Sequence, residues 1–266
     1  QAVDKLLRGL IFTPTTEPPA WVDDPMPHWN VRKNWLRAQK RAFNETNRER
    51  WKLLQKWWAE EMLATSSPLT ERLVLFWHNH FTSSFDRVKW VPYLYAQNAL
   101  FRRHAAGSFR DLLNAIVMDP AMLFYLDGRR NRAQKPNENF ARELLELFTM
   151  GEGHGYTERD IREVARALSG WSVDTTTAKA VFRARNHDWG EKEFLGQRGD
   201  FGVQEVVNVI LDHNRPARYL AEKFYDAFIG GMRHTPTLNA AAKAFQQSDY
   251  SISALLRTLL NSPTFW

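Results

Sequence analysis

Apolar residues recur at helical spacing along most of the chain, and the recurrence is sharpest between 136 and 171. There Phe140, Leu144, Leu147 and Phe148 fall at i, i+4, i+7 and i+8, which makes one core-facing stripe. Asn139, Arg142, Glu143 and Glu146 fall at i, i+3, i+4 and i+7 and make a second, polar stripe. Asn137 or Asn139 can cap this helix, which should end near Met150, with Gly151 placed to take the left-handed residue beyond the last turn. A glycine-rich loop follows over 151–156. Thr157 and Asp160 then have the spacing of a capping box, and Ile161, Val164, Ala165 and Leu168 form the next core stripe, closed by Gly170.

The flanking chain reads the same way. Residues 1–11 predict a short helix, and the Pro- and Thr-rich 13–27 a loop. A long amphipathic stretch spans 31–63. From 68 to 84, Thr70 caps a helix that ends in His78-Asn79-His80. Two histidines at i, i+2 diverge by about 200° on a helix, so they can act together only where the helix ends. Helices over 91–117 break at Gly107, Asp119-Pro120 starts the next one, and an Arg-rich loop fills 127–136. Beyond Trp171 helical periodicity stops, and one short hairpin pairing 181–183 with 194–195 is expected. It returns over 203–212, 216–229, 238–247 and 252–260. No internal repeat is visible. The expectation is a mostly α, single multi-helix domain over 1–266 with one irregular loop and hairpin insert at about 172–202.

Composition narrows the chemistry. A chain of 266 residues can bury a sizeable core, and it holds no cysteine, which removes disulfides, Cys-type zinc sites, iron–sulfur clusters and Cys nucleophiles. A net charge of +6 favours contact with something acidic. No run approaches the roughly 18 apolar residues of a membrane-spanning helix. The segment from Gln1 is not a signal peptide, so a leader upstream of it is expected to have been removed. Within 31–63, Trp51, Trp57 and Trp58 interleave with Arg48, Arg50, Lys52 and Lys56. That pattern suits stacking along a nucleic-acid backbone, but also an amphipathic helix pair whose Lys and Arg cover the solvent side. The second reading is the expected one, and nucleic acid is not the expected partner.

Several sharper signatures are missing: HExxH, a phosphate-binding GxxxxGK[ST], GxGxxG after a strand, GxSxG and the paired Glu-x-x-His of di-iron bundles. The segments FWHNHF at 76–81, DPAMLFYLDG at 119–128, PNENFARELLELFTMG at 136–151, YTERDIREVARALSGW at 156–171, HDWGEKEFLGQRG at 187–199 and LRTLLNSPTFW at 256–266 resemble a bacterial family catalogued as domain of unknown function 1800. The resemblance covers most of the chain. It implies an exported, periplasmic or extracellular protein, often encoded beside a sulfatase-like protein. It also implies longer relatives with a C-terminal portion beyond the position of Trp266.

The family motifs mark His78, His80, Asn139, Arg142, Glu143, Glu146, Tyr156, His187, Asp188 and Lys192 as candidate site residues. Glu143 and Glu146 lie about one turn apart and could divide acid and base roles, as carboxylates do in glycoside hydrolysis. With His78, His80 or His187 they could instead hold a divalent metal. Against both stands the plain reading that Arg142 pairs with Glu138 and Glu146 at i, i+4. Two functions follow: an extracellular glycan hydrolase using Glu143, Glu146, His78, His187 and Asp188, or a non-catalytic binding or assembly protein for a polysaccharide, another anionic polymer or a protein partner. Convergence of Glu143, His78 and His187 in an open cleft would favour the first; arginine pairing would favour the second.

Overall fold

Helices form where the apolar stripes predict them. A computed structural model describes residues 1–266, and its α-helices are α1 (Ala2–Arg8), α2 (Trp29–Arg32), α3 (Arg37–Ala64), α4 (Pro68–His80), α5 (Phe85–Val88), α6 (Val91–Arg103) and α7 (Phe109–Val117). They continue as α8 (Pro120–Tyr125), α9 (Glu138–Glu143), α10 (Glu158–Ala167), α11 (Val203–Asp212), α12 (Asn214–Phe228), α13 (Thr235–Gln247) and α14 (Ile252–Leu260). One contiguous core of 62 buried residues joins all of these helices except α2, so the fold is the mostly α one expected. No helix is long and apolar enough to cross a membrane.

The stretch over 31–63 separates into α2 and the 28-residue α3. Trp57 is buried, Trp51 stacks on Phe85 and Trp58 packs on His78, while Arg48, Lys52 and Lys56 face solvent. Arg48, Lys52 and Lys56 therefore lie opposite the tryptophans, whereas Arg50 is half-buried over the Trp21 and Trp90 rings and paired with Asp24; the tryptophans contribute to packing rather than to a stacking surface. Glu61 is a buried carboxylate on α3. Its carboxylate accepts hydrogen bonds from the Thr15 and Thr16 backbones and the Thr16 hydroxyl, which fastens the Pro-rich loop onto the helix.

Helix starts follow local polar chemistry. The cap of α4 is Ser67 rather than Thr70; the two hydroxyls bond each other at 2.7 Å. Asp119 caps α8 as expected, accepting from the Met122 amide at 2.8 Å and from Gln97 Nε2 at 2.8 Å. Burial is complete there and outweighs those donors, so the carboxyl is pushed up from 3.8 to about 7. An acid whose folded pKa lies above its unfolded one contributes stability below the unfolded value and loses it as pH rises through the folded one. The stability advantage of wild type over Asp119→Asn is therefore expected to shrink between pH 5 and pH 8, by on the order of 2–4 kcal/mol. Urea unfolding of both proteins across that range measures it, and a constant difference would count against a buried, titrating Asp119.

The insert differs from the expected single hairpin. Strand β1 (Trp171–Asp174) pairs antiparallel with β2 (Lys179–Phe182), and β3 (Lys192–Phe194) pairs with β4 (Gln197–Gly199). Residues 181–182 thus pair with 171–172, not with 194–195. Sequence-adjacent segments closed by short turns have the lower closure entropy, and both hairpins take that route.

Candidate functional site

The polar stripe on α9 is organised by Arg142. Its two terminal nitrogens reach Glu158 at 2.7 Å each, and it also lies 3.3 Å from Glu146 and 3.6 Å from Glu138. The hydrogen bonds to Glu158 hold the Arg142 guanidinium above its ordinary value. Glu143 takes no part in this network. It is half-buried, and burial followed by the nearby Glu146 charge raises its carboxyl above the usual range. Tyr156 accepts the Gly153 amide. Asn139 and Asn137 reach back to the carbonyls of Leu126 and Asp127, so the start of α9 is tied to the end of α8.

The helix does not stop at Glu143. It continues through a π-helical turn, Leu144–Thr149, in which the Met150 amide donates to the Leu145 carbonyl five residues back. The carbonyls of Leu147, Phe148 and Met150 at its end are taken by Tyr219, His80 and Arg215 respectively, at 3.0, 3.0 and 2.7 Å. Gly151 then turns with φ +86°. A π-helical turn needs such outside donors because its own ladder leaves carbonyls unpaired.

His78 and His80 face different neighbourhoods. His80 donates through Nε2 to Phe148, and burial, then the Lys223 charge, pulls it from 6.5 to about 3, so it is neutral. His78 accepts from Asn98 at 3.1 Å and belongs to a chain of buried groups running through Arg102 and Glu71 to Trp58; burial pulls it, too, to about 3. His187 donates through Nδ1 to the Ser169 carbonyl at 2.8 Å. Asp188 is paired with Arg166 and Lys192 with Asp200, each at 2.8 Å. No hydrogen bond or ion pair joins Glu143, His78 and His187. No group of three or more His, Asp or Glu side chains converges to hold a metal ion, so the divalent cation considered from sequence has no donor set here.

A cavity of about 860 Å³ lies elsewhere, between α2, α5, the end of α8 and the β1–β2 hairpin. None of the candidates marked by the family motifs lines it. Its lining carries six cationic side chains, Arg32, Arg87, Lys89, Arg129, Arg130 and Arg183, against three aspartates, Asp86, Asp127 and Asp174. Only loose pairs compensate them: Arg129 and Arg130 lie 3.9 and 3.8 Å from Asp127. The Arg129 guanidinium rests 4.5 Å over the Phe124 ring, and its Nε is buried without a partner. Burial, followed by repulsion from Arg130, holds Arg129 below its ordinary value. Two rim residues have left-handed backbone without being glycine, Lys89 at φ 57° and Asp127 at φ 55°. Such conformations are costly and concentrate at ligand sites.

Little in the sequence marks this cavity. Its walls come from four separated segments, and the local hints are Phe124 and Asp127 within the 119–128 motif and the three arginines over 129–132. The link to the motif-rich stretch is indirect, through the Asn137 and Asn139 bonds to Leu126 and Asp127.

The model of the family described as protein of unknown function (DUF1800) matches residues 2–266, so the chain belongs to that family. Neither the curated proteins nor the solved structures contain a significant match.

Proposed function

We propose that this DUF1800 member is a non-catalytic binding protein for an anionic polymer, exported from the cytoplasm, and that it holds its ligand in the basic cavity. The observation that carries this reading is the charge balance there: six cations, three aspartates and an Arg129 whose Nε has no partner. An anionic group in the cavity would relieve the mutual repulsion of Arg129 and its cationic neighbours and make charge-assisted hydrogen bonds. The volume suits a ligand segment of several units. In this reading Arg142, Asp188 and Lys192, each held in an ion pair, brace α9, α10 and the 188–200 segment rather than meet the ligand.

Removing one guanidinium should weaken polyanion binding by about ten- to a hundredfold, as expected for loss of a charge-assisted hydrogen bond worth about 1.5–3 kcal/mol. Arg129→Gln and the exposed Arg183→Gln are the variants, read by calorimetric titration with dextran sulfate at low and high salt. Binding should weaken as salt rises. Equal affinity in wild type and both variants would sink the reading. A second reading, hydrolysis of the polymer, is favoured by one observation: Glu143 is unpaired, half-buried and raised in pKa beside Glu146, as a general acid would be. Glu143→Gln should leave binding unchanged. Release of reducing ends by wild type, lost in that variant, would transfer the assignment to hydrolysis.

A further inference from the structure

The aspartates of the cavity are harder to explain than its cations. A site shaped only by attraction to a polyanion gains from every cation and loses from every carboxylate, because like charges at close range repel. Yet Asp86, Asp127 and Asp174 stand among the six cations. Asp86 makes no hydrogen bond or ion pair, and Asp127 lies beyond hydrogen-bond reach of its arginines. Asp174 accepts the Thr176 amide at 2.9 Å, and hydrogen bonds from Thr176 hold it below its ordinary value, so it is ionised. A carboxylate offers about four acceptor sites, so Asp86 and Asp127 keep most of theirs free, while Asp174 shares its own with Thr176 and Thr177. These acceptors call for donors.

We propose that the ligand is a hydroxyl-rich acidic polysaccharide, whose carboxylate or sulfate groups meet the guanidinium groups while its hydroxyls donate to Asp86, Asp127 and Asp174. This rests on the anionic-polymer reading above and names the class of polymer. A polyphosphate chain presents only acceptors along its length and would leave Asp86 and Asp127 unpaired and all three carboxylates repelled. A sugar ring presents donors and acceptors alternately around its edge, together with an apolar face. Trp29 supplies a matching surface at the cavity mouth: it is 63% exposed and its indole N–H donates to no protein group. An aromatic ring with one polar edge, open to the cavity, can pack on the C–H face of a sugar and hydrogen-bond its rim.

The proposal makes a prediction of sign. Neutralising an aspartate should strengthen binding of a hydroxyl-free polyanion and weaken binding of an acidic sugar polymer. Asp86→Asn and Asp174→Asn are suitable: Asp86 makes no hydrogen bond to lose, and Asn at 174 can still accept the Thr176 amide and keep the turn. Titrations would use polygalacturonate, dextran sulfate and inorganic polyphosphate of matched charge. The expected result is about a five- to tenfold loss of affinity of each variant for the sugar polymer that wild type binds, with tighter binding of polyphosphate. Trp29→Ala should weaken only the sugar polymers. If both aspartate variants bind all three polymers more tightly, the carboxylates are bystanders and the sugar assignment is overturned, while the anionic-polymer reading stands. If wild type binds none of the three, that underlying reading fails instead.

Discussion

Arg102→Met is expected to cost about 3–5 kcal/mol of folding stability, a large part of the about 5–15 kcal/mol that holds an ordinary domain together. Arg102 is 1% exposed. Its Nε and one terminal nitrogen clamp Glu71 at 2.7 and 2.8 Å, and the other terminal nitrogen reaches Asn98 at 2.8 Å. Methionine fills much of the aliphatic space but leaves the Glu71 carboxylate, 4% exposed, with only the Trp58 indole as donor. The penalty is therefore the stranded charge rather than the lost attraction. It follows that Arg102→Met combined with Glu71→Leu should recover most of the loss, because an apolar pair of similar volume is often as stable as a buried ion pair. Urea unfolding of the three proteins tests both halves. A single-variant cost below about 1 kcal/mol would mean that Glu71 finds water or another donor, contrary to the burial seen here.

That network also explains what could and could not be read along the chain. The helices were legible because burial stripes are local: Phe140, Leu144 and Phe148 are in the core, and Thr157 with Asp160 forms the expected capping box, but Leu147, expected in the same core stripe, is 47% exposed in the π-helical turn. Arg142 with Glu138 and Glu146 was legible for the same reason, since i, i+4 pairing is a property of one helix. His78 was visible as unusual, but its partner Asn98 lies on α6 and its surroundings on α3, which no periodicity reveals. The π-helical turn depends on donors from α4 and α12, so its 3.6-residue pattern predicts an ordinary helix. The basic cavity was the least legible feature. Arg32, Arg87, Arg129 and Arg183 each look like solvated surface charge in sequence, and only the packing of four segments brings them around one cavity.

Gly170→Val is expected to destabilise the fold by about 3–5 kcal/mol, combining backbone strain of about 1–3 kcal/mol with overpacking of a similar size. Gly170 has φ +90°, and an added Cβ would lie 3.1 Å from the His187 Cβ, 3.1 Å from the Phe182 ring and 3.2 Å from the Arg183 carbonyl. The position is a junction. Its amide donates to the Asn131 carbonyl at 3.1 Å, and its carbonyl accepts the Arg183 amide at 2.9 Å. Asn131 in turn holds the Ala165 carbonyl and the Asn137 amide, so one residue connects α10, the start of α9 and the β1–β2 hairpin. A branched side chain there must push the hairpin outward, carrying Asp174 and Arg183 away from Arg129 across the cavity. Gly153 is the control: its φ is +73°, yet nothing lies within 4 Å of an added Cβ. Gly153→Val should therefore show the backbone strain alone, with anionic-polymer binding intact. Gly170→Val should lose both stability and at least about tenfold in affinity, since the Arg183 contact is worth about 1.5–3 kcal/mol. Equal effects of the two substitutions would mean that the hairpin yields freely and does not set the width of the cavity.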